Sequence, residues 1–203
     1  MKSSYHESDV TLLLKDITGK LTPLRAEERE VFIQSGTHYS EMLPAEYVPS
    51  SRYIEAYERA LTCEADHTAA AVRACARAIY ASKGQSVVLV SLARAGVPIG
   101  ILLRWYLKAH YGIDAPHYGI SIIRGRGIDA NAMRYLLARY PAQSLQFVDG
   151  WIGKGAILTE LRRELSAYPG VSDQLAVLSD PAGLTEQCGT HADFLIASSC
   201  LNS

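Results

Sequence analysis

The stretch LQFVDGWIGKGAILTELRREL, residues 145–165, sets the fold class: an apolar run, an acid, a Gly-rich turn holding one lysine, and a helix follow one another directly. Leu145 to Val148 read as a short strand, and the helix beyond it ends near Tyr168. Upstream the same order recurs. Ser86 to Ser91 form a strand, about Pro98 to Tyr111 a helix stopped by Gly112, His117 to Ile123 a strand, and about Asp129 to Tyr140 a helix stopped by Pro141. Downstream, Leu175 to Leu178 and Phe194 to Ala197 are further strand candidates. Strands alternating with helices predict an α/β fold with a mostly parallel sheet and helices on both faces, because parallel neighbours need crossover connections. Ligands in such sheets sit at the carboxyl ends of strands, beside a switch in strand order.

Residues 85–203 make this α/β core, and residues 1–84 a helical N-terminal arm or hood. In the arm, Thr22 and Pro23 open a helix over residues 23–34. Residues 35–51, SGTHYSEMLPAEYVPSS, form a long irregular connection, and helices follow over about 51–61 and 66–82, the last ended by Gly84. The whole chain of 203 residues, 48% hydrophobic, buries a real core. Twenty Lys plus Arg against twenty-one Asp plus Glu leave a net charge of −1, which argues against nucleic acid as a partner and makes any anion site local. Cys63, Cys75, Cys188 and Cys200 form no CxxC pair and are too sparse for a disulfide scaffold, which points to a reducing, cytoplasmic setting. The N-terminus lacks an apolar signal region, and the longest apolar stretch, Val87 to Leu103, is broken by Arg94 and Pro98, so no membrane span is expected.

Three loops carry the candidate chemistry. Gly150, Gly153 and Gly155 permit positive φ and close backbone approach, the first amides of the following helix lack intrahelical partners, and Lys154 adds a charge, so the turn suits a phosphate. It is a poor Walker A match, since Gly155 stands where Ser or Thr would bind magnesium. The plainer reading is a strand-to-helix turn with Asp149 capping the helix. After the first core strand, Arg94 interrupts an apolar run and would reach a ligand phosphate, or else enter a buried ion pair. After the second, Arg124 and Arg126 in IIRGRGID form either a leaving-group clamp or a solvated basic turn. The six histidines show no HExxH or paired ligand spacing, so no protein-built metal site is expected.

The turn resembles the phosphoribosyl-pyrophosphate loop of type I phosphoribosyltransferases, in the register Asp149, Gly150, Trp151, Ile152, Gly153, Lys154, Gly155, Ala156 and Ile157. The resemblance implies that Asp149 binds the ribose hydroxyls and residues 153–157 the 5-phosphate. Gly150 departs from the family's second acid and Lys154 from its small residues. Leu92 to Gly96, centred on Arg94, Ala95 and Gly96, resemble the pyrophosphate loop. The implied activity is transfer or removal of a phosphoribosyl group, with a phosphoribosyl donor or nucleotide as partner and Mg2+ bound mainly through substrate pyrophosphate. Over nearly its full length, from SDVTLLLKDITG through VSLARAGVPIG and HYGISIIRGRGID to SDPAG and SSCLNS, the chain resembles phosphoribosyltransferase-like bacterial proteins found with tellurium-resistance and stress genes, also labelled StiP-type cysteine proteases. Those proteins extend past CLNS, so the chain resembles their N-terminal part. Their protease label directs attention to Cys200 as an alternative nucleophile, with His191, Asp193 and His117 as possible partners. A binding module without turnover is a third reading, allowed by Gly150. Oligomeric state stays open, a homo-oligomer included.

Overall fold

The structure, a computed structural model, describes residues 3–201. The elements in chain order are β1 (Thr11–Leu12), α1 (Ala26–Gln34), α2 (Ser51–Cys63), α3 (Ala65–Lys83), β2 (Val88–Ala93), α4 (Gly96–Tyr111), β3 (His117–Ile123) and β4 (Gly127–Ile128). They continue with α5 (Ala130–Leu137), β5 (Leu145–Val148), α6 (Ala156–Leu165), β6 (Leu175–Ser179), β7 (Cys188–Thr190) and a 3-10 turn (Ala197–Leu201). Among the described residues the strands form a seven-stranded sheet in the order β1-β3-β2-β5-β6-β7, parallel throughout, with β4 added antiparallel to β3. This is the expected α/β architecture, with a mostly parallel sheet.

Alternation along β2 explains the two layers. Val88, Val90 and Leu92 point to one face, where Met133 and Leu136 of α5 and Leu158 and Leu161 of α6 cover them. Leu89 points to the other, beneath Ile79 of α3 and Leu103 and Leu107 of α4. The last helix of the segment assigned to the arm, α3, thus buries Ala71, Val72, Cys75, Ala76 and Ile79 in the same core as the sheet.

Several boundaries differ from expectation: β2 runs Val88–Ala93 in place of Ser86 to Ser91, and α6 ends at Leu165, short of Tyr168. The first helix starts at Ala26, with Arg25 as its N-cap and Glu28 accepting the Arg25 amide proton at 2.8 Å, so Pro23 lies outside it. It buries no residue, and Val31, Phe32 and Ile33 stay exposed. Helix α5 ends at Leu137, short of Tyr140. No strand forms over Phe194 to Ala197; the last strand is β7, and the chain beyond it runs irregularly into the 3-10 turn. No described helix is long and apolar enough to cross a membrane.

The N-terminal residues are tied to the sheet through a buried histidine. His117, 5% exposed, has Nδ1 2.8 Å from the Asp9 carbonyl oxygen, and since a carbonyl only accepts, Nδ1–H is the donor. Nε2 is then free to accept the Ser91 hydroxyl at 2.7 Å. Gly100 of α4 makes room for this chain, because a Cβ there would stand 2.2 Å from both Ser91 Oγ and His117 Nε2. Gly100→Ala should therefore cost about 1–3 kcal/mol by overpacking, read as a lower denaturant midpoint with an unchanged slope. An unchanged midpoint would mean that α4 does not press on the Ser91–His117 pair.

Candidate active site

The chain passes from β2 to β3 on one side and returns to β5 on the other, so the carboxyl ends of β2 and β5 form the switch point of the sheet. The two loops touch there: a Cβ on Gly96 would lie 2.3 Å from the Val148 carbonyl oxygen. Beside them opens a cavity of about 360 Å³, walled by Ala95, Asp149, Gly150, Trp151, Phe194 and Ile196. Asp149 accepts the Gly150 amide proton at 2.8 Å, and burial pushes its carboxyl up to about 6 against that hydrogen bond. A larger groove, about 1100 Å³, runs between residues 4–9 and helices α2, α3 and α4. Its walls are mainly apolar, with His6, Asp9, Asp66 and Arg73 among the lining residues.

The glycine turn is built differently from an open phosphate cradle. The Trp151 ring lies over Gly153, where a Cβ would meet it at 2.2 Å, and its Nε1–H donates to Asp193 Oδ1 at 2.9 Å. Gly155, at φ +77°, is the N-cap of α6, and Leu184 sits against it, 2.7 Å from where a Cβ would stand. Asp149 does not cap this helix. Lys154 and Ala156 face solvent, and Ile157 packs half-buried against the core.

Of the arginines, none lines the switch-point cavity. Arg94 follows a cis peptide bond and pairs with Glu46 at 3.4 Å, and Arg126 pairs with Glu41, both acids belonging to the irregular segment before α2. Arg124 is exposed. The RGRG loop is drawn instead onto α6: Gly125 N–H donates to Glu160 Oε2 at 3.1 Å, and Gly127 packs against the Glu164 carboxylate. The structure thus brings together Ala95, Asp149, Gly150 and Trp151, and leaves Arg124, Arg126 and Lys154 elsewhere.

A second constellation was not anticipated. On β7 the Cys188 Sγ lies 3.7 Å from His191 Nε2 and 3.9 Å from Nδ1. His191 Nδ1 is 2.8 Å from the Asp180 carbonyl oxygen, which makes Nδ1–H the donor and leaves Nε2 as the unprotonated nitrogen. The Asp180 side chain is fully buried. Its Oδ2 accepts the amide protons of Leu184 at 2.7 Å and Thr185 at 2.9 Å, while Oδ1 has no partner among the described residues. Burial, and then the Asp180 charge, push the Cys188 thiol above its ordinary value. The placement depends on Gly189, whose Cβ would stand 2.5 Å from the Ala71 carbonyl oxygen and 2.7 Å from that of Leu178. The signal available in sequence was the Cys-x-x-His spacing of CGTH, residues 188–191.

The other thiols are placed differently. Cys200 sits in the 3-10 turn, its carbonyl accepting the Tyr53 hydroxyl, and no described imidazole hydrogen-bonds its sulfur. His117 is committed to Ser91 and Asp9. Cys75 is buried, its thiol pushed far up by desolvation, and Cys63 is exposed.

A family model described as the tellurite-like stress resistance cysteine protease StiP matches residues 3–203. The chain belongs to the StiP family. An Acinetobacter baylyi protein named Cysteine protease StiP is 42% identical over 204 residues, an alignment covering 98% of this chain and 52% of that protein. The chain therefore spans about half the length of the curated relative it matches. These matches overturn the phosphoribosyltransferase expectation, since the StiP family and this relative carry the name of a cysteine protease. The turn itself is packed by side chains, Trp151 against Gly153 and Leu184 against Gly155.

Two buried groups set a test of the site in this StiP-family chain. Asp149 is raised from 3.8 to about 6, so the folded state holds its proton longer, and its contribution to stability falls as pH rises through that window. His117 is lowered from 6.5 to about 4 by burial, so the unfolded state takes the proton first and stability is lost as pH falls from 6.5 to 4. Each slope amounts to at most about 3 kcal/mol, Asp149 less because its cavity admits solvent, and the two oppose each other. Asp149→Asn should leave the His117 slope uncompensated, so that chemical denaturation shows a steeper loss of stability between pH 6.5 and 4 than in the parent. Parallel pH profiles would place the carboxyl in solvent.

Proposed function

We propose that the chain carries the thiol centre of a peptidase, with Cys188 as nucleophile and His191 as its base. The observation that supports this is the 3.7 Å approach of Cys188 Sγ to His191 Nε2, with the opposite ring nitrogen bonded to the Asp180 carbonyl. Burial and the Asp180 charge disfavour a lone thiolate, so the nucleophile forms by proton transfer to a base beside the sulfur, the place His191 occupies. Sulfur sits almost equidistant from the two ring nitrogens, so the imidazole must turn before Nε2 comes into line with it. In the reaction Cys188 gives its proton to Nε2 and its sulfur attacks the peptide carbonyl. The C–N bond then breaks, and the imidazolium proton leaves with the amine. Water, deprotonated by the same imidazole, hydrolyses the thioester and restores the thiol. The segment after His191 leads into the wall of the switch-point cavity, which offers an adjoining subsite for a substrate side chain.

Cys200 is the second reading. Ser198 and Ser199, its neighbours in the 3-10 turn, line the cavity that holds Asp149, so a nucleophile there would use that carboxylate in place of an imidazole. The two separate in one experiment. With a labelled unfolded protein as substrate, Cys188→Ala should lower kcat/KM by at least about a thousandfold, while Cys200→Ala stays within about threefold of the parent. The reverse pattern would move the nucleophile to Cys200, and full activity in both variants would remove thiol chemistry from this chain.

A further inference from the structure

The Cys188 and His191 pair has a third member that peptidase chemistry does not use. The Asp180 carboxylate is fully buried, one of its oxygens has no partner among the described residues, and a ligand atom from each of Asp180, Cys188 and His191 lies within 4.8 Å of the others. An orphaned buried carboxylate oxygen is costly, and a carboxylate beside a cysteine is the wrong neighbour for a bare thiolate. Both features suit a cation. We propose that Asp180, Cys188 and His191 form a binding site for a thiophilic divalent cation of the zinc class, whose occupancy closes the thiol to substrate. The closing of the thiol rests on the reading of Cys188 as nucleophile; the binding does not.

The dimensions agree. Zn–S of about 2.3 Å and Zn–N of about 2.05 Å at a tetrahedral angle separate sulfur and nitrogen by about 3.6 Å. Cys188 Sγ and His191 Nε2 are 3.7 Å apart. The three ligand atoms lie within 4.8 Å of one another, wider than a closed site, so binding draws the side chains inward. The outer contacts are of the kind that orient metal ligands. His191 gives its Nδ1–H to a backbone carbonyl, which leaves Nε2 unprotonated for a metal, and Asp180 Oδ2 is held by two amides, which leaves Oδ1 for the ion. One thiolate and one carboxylate neutralise a 2+ charge, and a water molecule completes four-coordination. The ligand types favour zinc over calcium or magnesium, which prefer oxygen alone.

The test uses the full chain, reduced and stripped of metal, titrated with Co2+ as a spectroscopic probe. One equivalent should produce a sulfur-to-cobalt charge-transfer absorption. Cys188→Ala should abolish the band. His191→Gln and Asp180→Asn, the latter keeping an acceptor for the two amides, should weaken binding by at least about tenfold, since even outer-shell changes commonly cost 10- to 100-fold. Cobalt bound without that band, or bound equally by Cys188→Ala, would overturn the proposal. A second reading guards against a misfolded variant. On the parent protein, saturating Zn2+ should slow alkylation of Cys188 by iodoacetamide at least tenfold while the exposed Cys63 reacts as before. Equal Cys188 alkylation with and without Zn2+ would also overturn it. Peptidase activity surviving in a Cys188→Ala protein that has lost the cobalt band would sink the nucleophile assignment and leave the metal site standing.

Discussion

Backbone pressed on backbone, where a side chain would ordinarily stand, is the constraint on which the carboxyl edge of this sheet depends. Gly96 lies against the Val148 carbonyl and brings the loop after β2 onto the end of β5. Gly189 lies between the carbonyls of Ala71 and Leu178 and presses β7 simultaneously on α3 and β6. Without the first contact the switch-point cavity has no wall on the β2 side, and without the second Cys188 and its imidazole stand off from Asp180. Neither glycine has a positive φ, so it is the space and not the torsion that requires them.

Charge is settled locally around this frame. The chain is nearly neutral overall, and its basic loops are answered one at a time: Arg94 by Glu46, Arg126 by Glu41, and the Gly125 amide by Glu160, which also pairs with Arg163. A row of arginines that looks like an anion clamp in the sequence becomes a set of attachments between the core loops, α6 and the segment before α2. The same amino acids therefore serve two readings, and only the positions of their acidic partners tell them apart.

The α/β core was legible because its strands are apolar on both faces and its helices carry clear stops, Gly84 after α3 and Gly112 after α4. The edges were not. The last strand, Cys188–Thr190, is three residues long and contains a glycine, so it presents neither an apolar run nor an alternation, whereas Phe194 to Ala197 has the composition of a strand and no neighbour to pair with. The glycine turn was found, but its filling by Trp151 and Leu184 depends on side-chain direction and on a residue 33 positions from Trp151 in the chain. For the thiols, position in the sequence is a poor guide: Cys200 follows a segment with the composition of a strand, while the CGTH spacing of Cys188 and His191 has no apolar run to mark it.

The pairing of Glu41 and Glu46 with two separate core loops has a consequence for ionic strength. Both bridges are exposed to solvent, so each is weak singly and is screened as salt is added, whereas the apolar layers beneath the sheet are not. The stretch between α1 and α2 is thereby fastened like a strap by two electrostatic buckles, and concentrated salt would undo the strap while the sheet stays folded. Protease sensitivity confined to that stretch would then track the Debye length more closely than it tracks temperature.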